Sequence, residues 1–294
     1  MYKLTRTVAI ATVIAGLLLV VAGAAQAQLL LNLDAANPAN SSTTWVDSSS
    51  SGYDFSVPAE VTYDDAGDRY TFPQTAGVHA TGTGDESIFD FDTAQGTGAT
   101  PWTVVSYFHH QGSGDRTPTL VGKYTNTGGE QGWKIMARHD NAGNNNNVDS
   151  TTESGIWSNR VYTRSAVPTP NESMIVWHND GTGTVAGTSL YFNGSPTATA
   201  HSYQENNLSS SILNNEPLRI GGGIPTNTEY GGDIYFVQIW AGAESTLPGG
   251  SAAQLGGLTW NNGNPQAIVP EPTSMSLLLI GLIGLLGFGR RRRR

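Results

Sequence analysis

Between Gln28 and Ile268 no apolar pattern of helical period is sustained; short apolar runs recur instead, with turn residues between them. A chain patterned this way folds into many short strands. The clearest run is Trp102 to Phe108, where Trp102, Val104 and Phe108 share one face and Val105 and Tyr107 the other, so both faces are apolar and a central, doubly covered strand is expected. Leu190-Tyr-Phe192 runs into Asn193-Gly194 and then Thr197 to Ala200, the pattern of a hairpin with a tight turn. Leu218-Arg-Ile220 leads through three glycines and a polar loop to Gly232 to Trp240, the strongest strand signal. The region is poor in Lys and Glu and rich in Gly, Thr, Ser and Asn, which again favours strands and turns, and helix is expected only at the two ends. The length suits one large sandwich.

Both ends read as addresses. Basic Lys3 and Arg6, an apolar run from Val8 to Ala22 and then Ala25-Gln26-Ala27 have the layout of a secretory signal peptide, with Ala25 and Ala27 at the small positions that signal peptidase needs and Gln28 as the first mature residue. At the other end Pro270-Glu271-Pro272 precedes an uncharged stretch from Met275 to Phe288, then Gly289 and five arginines. The arginines stay cytoplasmic while the secreted part lies outside, so the apolar stretch acts as a stop-transfer element. It is too short for a good permanent anchor, as a helix rising about 1.5 Å per residue would need about 20 residues to cross the hydrocarbon core. A processing signal has that character; a plain anchor is the alternative. The expected division is therefore 1–27 signal peptide, 28–262 β-domain, 263–268 linker and 269–294 sorting segment.

Charge narrows the partners. Seven of the 15 basic residues lie in the terminal segments, leaving eight against 23 of the 24 acidic ones, a net charge of −15 for the part between. Such a surface repels phosphate backbones, so nucleic acid is not an expected ligand. The chain has no cysteine, which excludes disulfides and thiolate metal sites.

The C-terminal residues resemble the PEP-CTERM sorting signal of Gram-negative bacteria, through Pro270, Glu271 and Pro272, the Leu/Gly-rich segment and the arginine cluster. That resemblance implies an exosortase-like membrane protease as partner, after the export machinery and signal peptidase. It also implies transient anchoring in the inner membrane, then a place at the cell surface or in extracellular polysaccharide. The strand pattern resembles the laminin-G-like branch of the concanavalin A-like jelly rolls, through Leu31 to Asp34 with Trp45-Val-Asp47, Leu120 to Lys123 with Gly132 to Ile135, Leu190 to Gly194, and Pro217 to Gly222 with Gly232 to Ile234. The fold class this implies is all-β, a concanavalin A-like jelly-roll sandwich flanked by an N-terminal signal helix and a short C-terminal hydrophobic helix.

Chemistry is sparse. Jelly-roll glycosidases resemble one another in a Glu-x-Asp-x-(x)-Glu strand, because retaining hydrolysis needs two carboxylates about 5 Å apart. Glu86, Asp90 and Asp92 share parity on an extended strand, yet Ile88 interrupts them and no glutamate follows, so an acidic face beside buried Phe89 and Phe91 is the expected reading. His109 and His110, adjacent on a strand, point to opposite faces and cannot chelate one metal together. Many concanavalin A-like lectins hold calcium at the loop rim, and calcium needs only oxygen ligands; Asp140, Asn144 and Asp149 of one polar loop are the candidate ligands, a metal-free loop the alternative. Trp102, Trp133 and Trp240 lie in strand patterns and are assigned to packing, whereas Trp157 and Tyr162, flanked by polar residues, are the candidate sugar platforms. The expected function is a non-catalytic, lectin-like binding or structural protein of the envelope or polysaccharide matrix. A carbohydrate-active hydrolase or lyase with a noncanonical site is the alternative.

Overall fold

A computed structural model describes residues 26–91, 100–111, 118–125, 131–139, 146–154, 160–166, 172–196, 208, 210–223, 229–261 and 265–268. In chain order the strands are β1 (Gln28–Asp34), β2 (Thr44–Trp45), β3 (Phe55–Ser56), β4 (Thr62–Asp64), β5 (Arg69–Pro73), β6 (Ala80–Gly82), β7 (Trp102–His110) and β8 (Thr119–Thr125). They continue with β9 (Gln131–His139), β10 (Asn146–Ser154), β11 (Arg160–Ala166), β12 (Glu172–Asn179), β13 (Thr188–Phe192), β14 (Arg219–Ile220) and β15 (Gly231–Ala241), before helix α1 (Ala252–Trp260).

These strands build two antiparallel sheets. The first has seven strands in the order β13-β12-β7-β15-β5-β4, with β1 also on β15; the second has eight, β11-β10-β9-β8-β14-β6-β3-β2. β15 is long enough that β5 pairs with Gly231–Ile234 and β1 with the stretch from Phe236 to Ala241, while β7 runs along the other edge.

Two apolar layers hold the sandwich. Between the sheets, Trp102 and Trp177 of the first sheet meet Trp133 of the second, with ring centroids 4.5 Å apart for Trp102–Trp177 and 5.1 Å for Trp102–Trp133. Phe91 stacks on Trp102 at 5.0 Å. Each such pair adds about 0.5–1.5 kcal/mol beyond the burial of its area. The second layer lies on the far side of the first sheet, where Val105, Val176, Phe236 and Trp240 pack under α1 through Ala252 and Leu255. The two apolar faces read in Trp102 to Phe108 are thus both covered, one by the opposing sheet and one by the helix.

That helix corrects the expectation that helices are confined to the two ends. Its sequence, AAQLGGLTW, carries two interior glycines that argue against it. It is held by its cap and its packing. The Ser251 hydroxyl accepts the Gln254 N–H at 3.1 Å, and Gly256 lets the helix lie so close to the sheet that an added Cβ would stand 3.3 Å from Val176 Cγ2. Asn193 and Gly194 form the expected tight turn, both at positive φ, with the Ser195 N–H donating to the Phe192 carbonyl at 2.8 Å. The second arm expected at Thr197 to Ala200 lies outside the described residues.

The 263–268 segment, expected as a linker, is docked where it is described. Gln238, fully buried on β15, donates through Nε2 to the Ile268 carbonyl at 2.6 Å and accepts the Ile268 N–H at 3.4 Å. Residues 265–268 thereby lie as a strap along the outer face of the first sheet.

Candidate functional site

A cavity equipped with aromatic rings and carboxylates lies on that outer face, beside the strap. A register shift between Ile234 and Phe236, where β15 pairs with β7, leaves Tyr235 as an extra residue. Bulges of this kind re-aim side chains. Tyr235 stacks on Tyr107 of β7, ring centroids 4.4 Å apart and planes at 23°, and both rings remain half-buried. Their hydroxyls stay protonated donors: burial raises both, and the Glu172 carboxylate raises both further. Tyr107 donates to Glu172 Oε2 at 3.1 Å.

The stack opens into a cavity of about 400 Å³, with Phe236 on the floor and Pro265 to Ala267 of the strap as one wall. Asp34, at the end of β1, and Asp68, in the turn between β4 and β5, supply carboxylates. Burial raises the Asp34 pKa and the Asp68 carboxylate adds to this, against the hydrogen bond from the Ala36 N–H. Flat apolar rings edged by hydrogen-bonding groups suit a pyranose ring, and the volume lies in the usual range of small-molecule sites.

The residues singled out in the sequence fall elsewhere. Asp149 is not in a loop: it sits within β10, paired with Met136 and Arg164, fully buried, its carboxylate accepting the Tyr162 hydroxyl. Tyr162, expected on the surface, is only 5 % exposed, with the Arg160 guanidinium 5.0 Å from its ring centre. Both belong to a buried polar layer on the second sheet, where Glu153 accepts the Tyr124 hydroxyl at 2.7 Å and the Thr151 hydroxyl at 3.2 Å. Asp140, Asn144, Trp157, Pro270, Glu271 and Pro272 lie outside the described residues, as does Ala25. Ala27 is described, and its N–H donates to the Thr246 carbonyl at 2.9 Å while its side chain packs in the second apolar layer. Among the described residues no cluster of three or more His, Asp or Glu side chains is arranged to hold a metal.

Glu86 is corrected from strand to a single 3-10 turn, Glu86–Phe89, with Phe89 and Phe91 buried as expected. Asp90 meets buried Lys123, whose Nζ lies 2.5 Å from its carboxylate and donates to the Asn214 carbonyl at 2.5 Å. Asp90 and Asn214 border a second cavity of about 450 Å³ lined also by Thr125, Gln131, Leu213, Asn215 and Glu216, with no aromatic ring among its lining residues.

The comparison with known families matches residues 269–294 to the PEP-CTERM protein-sorting motif. The C-terminal segment is a PEP-CTERM sorting signal. The PEP-CTERM segment implies export with membrane-associated sorting in Gram-negative bacteria and processing by exosortase-type machinery. It begins one residue after Ile268, where the docked strap ends. No curated protein matches the chain.

Among solved structures, the binding domain of botulinum neurotoxin serotype G is similar with a TM-score of 0.56 at 14 % identity, over 81 % of this chain and 52 % of that one. The binding domain of Paraclostridial mosquitocidal protein 1 gives 0.54 at 16 %, over 80 % and 52 %. Trypanosoma rangeli sialidase, in complex with 2,3-difluorosialic acid as a covalent intermediate, gives 0.52 at 13 %, over 80 % and 33 %. The chain thus spans about half the length of the two binding domains and a third of the sialidase. At this identity the likeness establishes the fold, a jelly-roll sandwich of the concanavalin A-like kind, and the function rests on the site.

Proposed function

We propose that this chain is an exported, non-catalytic, lectin-like carbohydrate-binding protein, retained at the cell envelope or in extracellular polysaccharide after its PEP-CTERM segment is processed. The observation that carries this reading is the Tyr107–Tyr235 stack, aimed by a bulge into an open cavity with carboxylates at its edge. A sugar ring laid on these tyrosines would bury its apolar face against them and give its hydroxyls to Asp34 and Asp68. The PEP-CTERM segment supports delivery to the outside of the cell, where polysaccharide is available as a partner.

The test is a glycan-binding screen with the full chain in nonionic detergent, run beside assays for reducing-sugar and unsaturated-product release. Binding without turnover, abolished by Tyr235→Ala, supports the reading. Turnover of a bound polysaccharide would replace it with the hydrolase or lyase alternative, and absence of any glycan ligand would remove it.

A further inference from the structure

We propose that the cavity beside the strap selects a saccharide carrying a free ammonium group, a hexosamine unit with an unacetylated amine, over neutral sugars. This rests on the carbohydrate-binding reading above and narrows it. Two carboxylates, Asp34 and Asp68, and the stacked rings of Tyr107 and Tyr235 border the same cavity, and no Lys, Arg or His is among its described lining residues. Aromatic faces and carboxylates share one preferred guest. An ammonium is attracted to the face of an aromatic ring, more strongly the more it is desolvated, and forms charge-assisted hydrogen bonds with carboxylates.

Among the described residues no ion pair joins a cation to either of these carboxylates. Arg69, which interacts with Tyr235, is committed to Asp64 at 2.8 Å and lies 4.0 Å from Asp233. Asp34 accepts the Ala36 N–H at 3.0 Å and is still under repulsion from Asp68, so a cation between them relieves a cost that a neutral sugar leaves in place. A neutral ring would fill the same space but answer only half of the lining. The net charge of −15 between the terminal segments also favours approach of a cationic polymer.

The experiment is isothermal titration of the full chain, in nonionic detergent near pH 6, with three oligosaccharides of equal length: glucosamine, N-acetylglucosamine and glucose. Spermidine is the fourth ligand. The expected result is affinity for the glucosamine oligomer at least about tenfold above the other two sugars, equivalent to about 1.4 kcal/mol, and spermidine binding more weakly. Asp68→Asn should remove the preference, whereas Glu60→Gln, an equal change of net charge at an exposed position away from the cavity, should keep it. Equal binding of the acetylated or glucose oligomer overturns the ammonium selection and leaves carbohydrate binding standing. Spermidine binding as tightly as the glucosamine oligomer, or loss of preference in Glu60→Gln, reduces the effect to bulk charge and overturns the proposal. If no sugar binds, the carbohydrate-binding reading falls with it.

Discussion

Asp47 shows how much of this fold one carboxylate can organise. Its Oδ1 accepts the N–H groups of Asn32 and Ser49 at 2.8 and 2.9 Å, and its Oδ2 accepts the hydroxyls of Ser49 and Ser51 and the Tyr53 N–H at 2.7, 2.6 and 2.8 Å. Burial alone would raise its pKa, but the Ser51 hydroxyl and the other donors outweigh burial and hold it below the ordinary aspartate value. A carboxyl depressed by folding contributes stability above its unfolded pKa of about 3.9, and that contribution is lost as pH falls through the folded value. Asp47→Ala should therefore cost roughly 3 kcal/mol at neutral pH, and the gap to the parent should narrow in strong acid, as read from denaturant melts at the two conditions. Asp47→Asn should also destabilise, because either orientation of the amide sets an NH₂ against a backbone N–H. At Asp149 the carboxylate is spent on the Tyr162 hydroxyl inside the sheet layer. Asp149→Ala should cost about 2 kcal/mol by stranding buried donors, with the same shift in melting temperature whether or not calcium is present; a loss seen only with calcium would restore the ligand role expected from the sequence.

Among the elements, β15 does the most to create the site. Its bulge turns Tyr235 onto Tyr107, its outer face offers Phe236 as floor, and its Gln238 holds the strap that forms a wall. Gln238 also donates to Asn32 Oδ1 at 2.8 Å, so one buried amide joins β15, β1 and the strap. Replacing it by Ala should leave the sandwich folded at a cost of about 1–2 kcal/mol and free the strap. Hydrogen exchange at the Ile268 amide and proteolysis after residue 261 should both accelerate, and unchanged protection would show that apolar packing of Ala267 and Ile268 alone holds the segment. The PEP-CTERM segment starts at residue 269, the next one along the chain after the strap.

For the whole molecule, two antiparallel sheets with, among the described residues, one short α-helix should give a far-UV circular dichroism spectrum dominated by strand, indifferent to reducing agent because there is no cysteine. The sorting signal makes a separate prediction. Terminal-peptide mass spectrometry of envelope material should find mature protein that begins at Gln28 and lacks Arg290 to Arg294, and recovery of the arginine tail from most of it would contradict processing. The all-β class, the long strand from Gly232 to Trp240, the burial of Trp102, Trp133 and Trp240, and the sorting address were legible in the sequence. Each is written in local pattern: period-two alternation, a turn dipeptide, or a Pro-Glu-Pro triplet followed by an apolar run and arginines. The rest was decided by tertiary structure. Asp149 reads as the end of a polar loop that begins at Asp140, yet it lies within the strand Asn146–Ser154 because β9 and β11 pair with both its edges, and it is buried there. Helix α1 forms against its two glycines because the first sheet offers an apolar face to cover. The cavity joins Asp34, Asp68, Tyr107, Tyr235 and the strap, which are distant along the chain, through one register shift in a strand. Alternation along a sequence determines which residues face a core, but a bulge and the meeting of separate turns depend on how strands pair, and pairing is a property of the folded molecule alone.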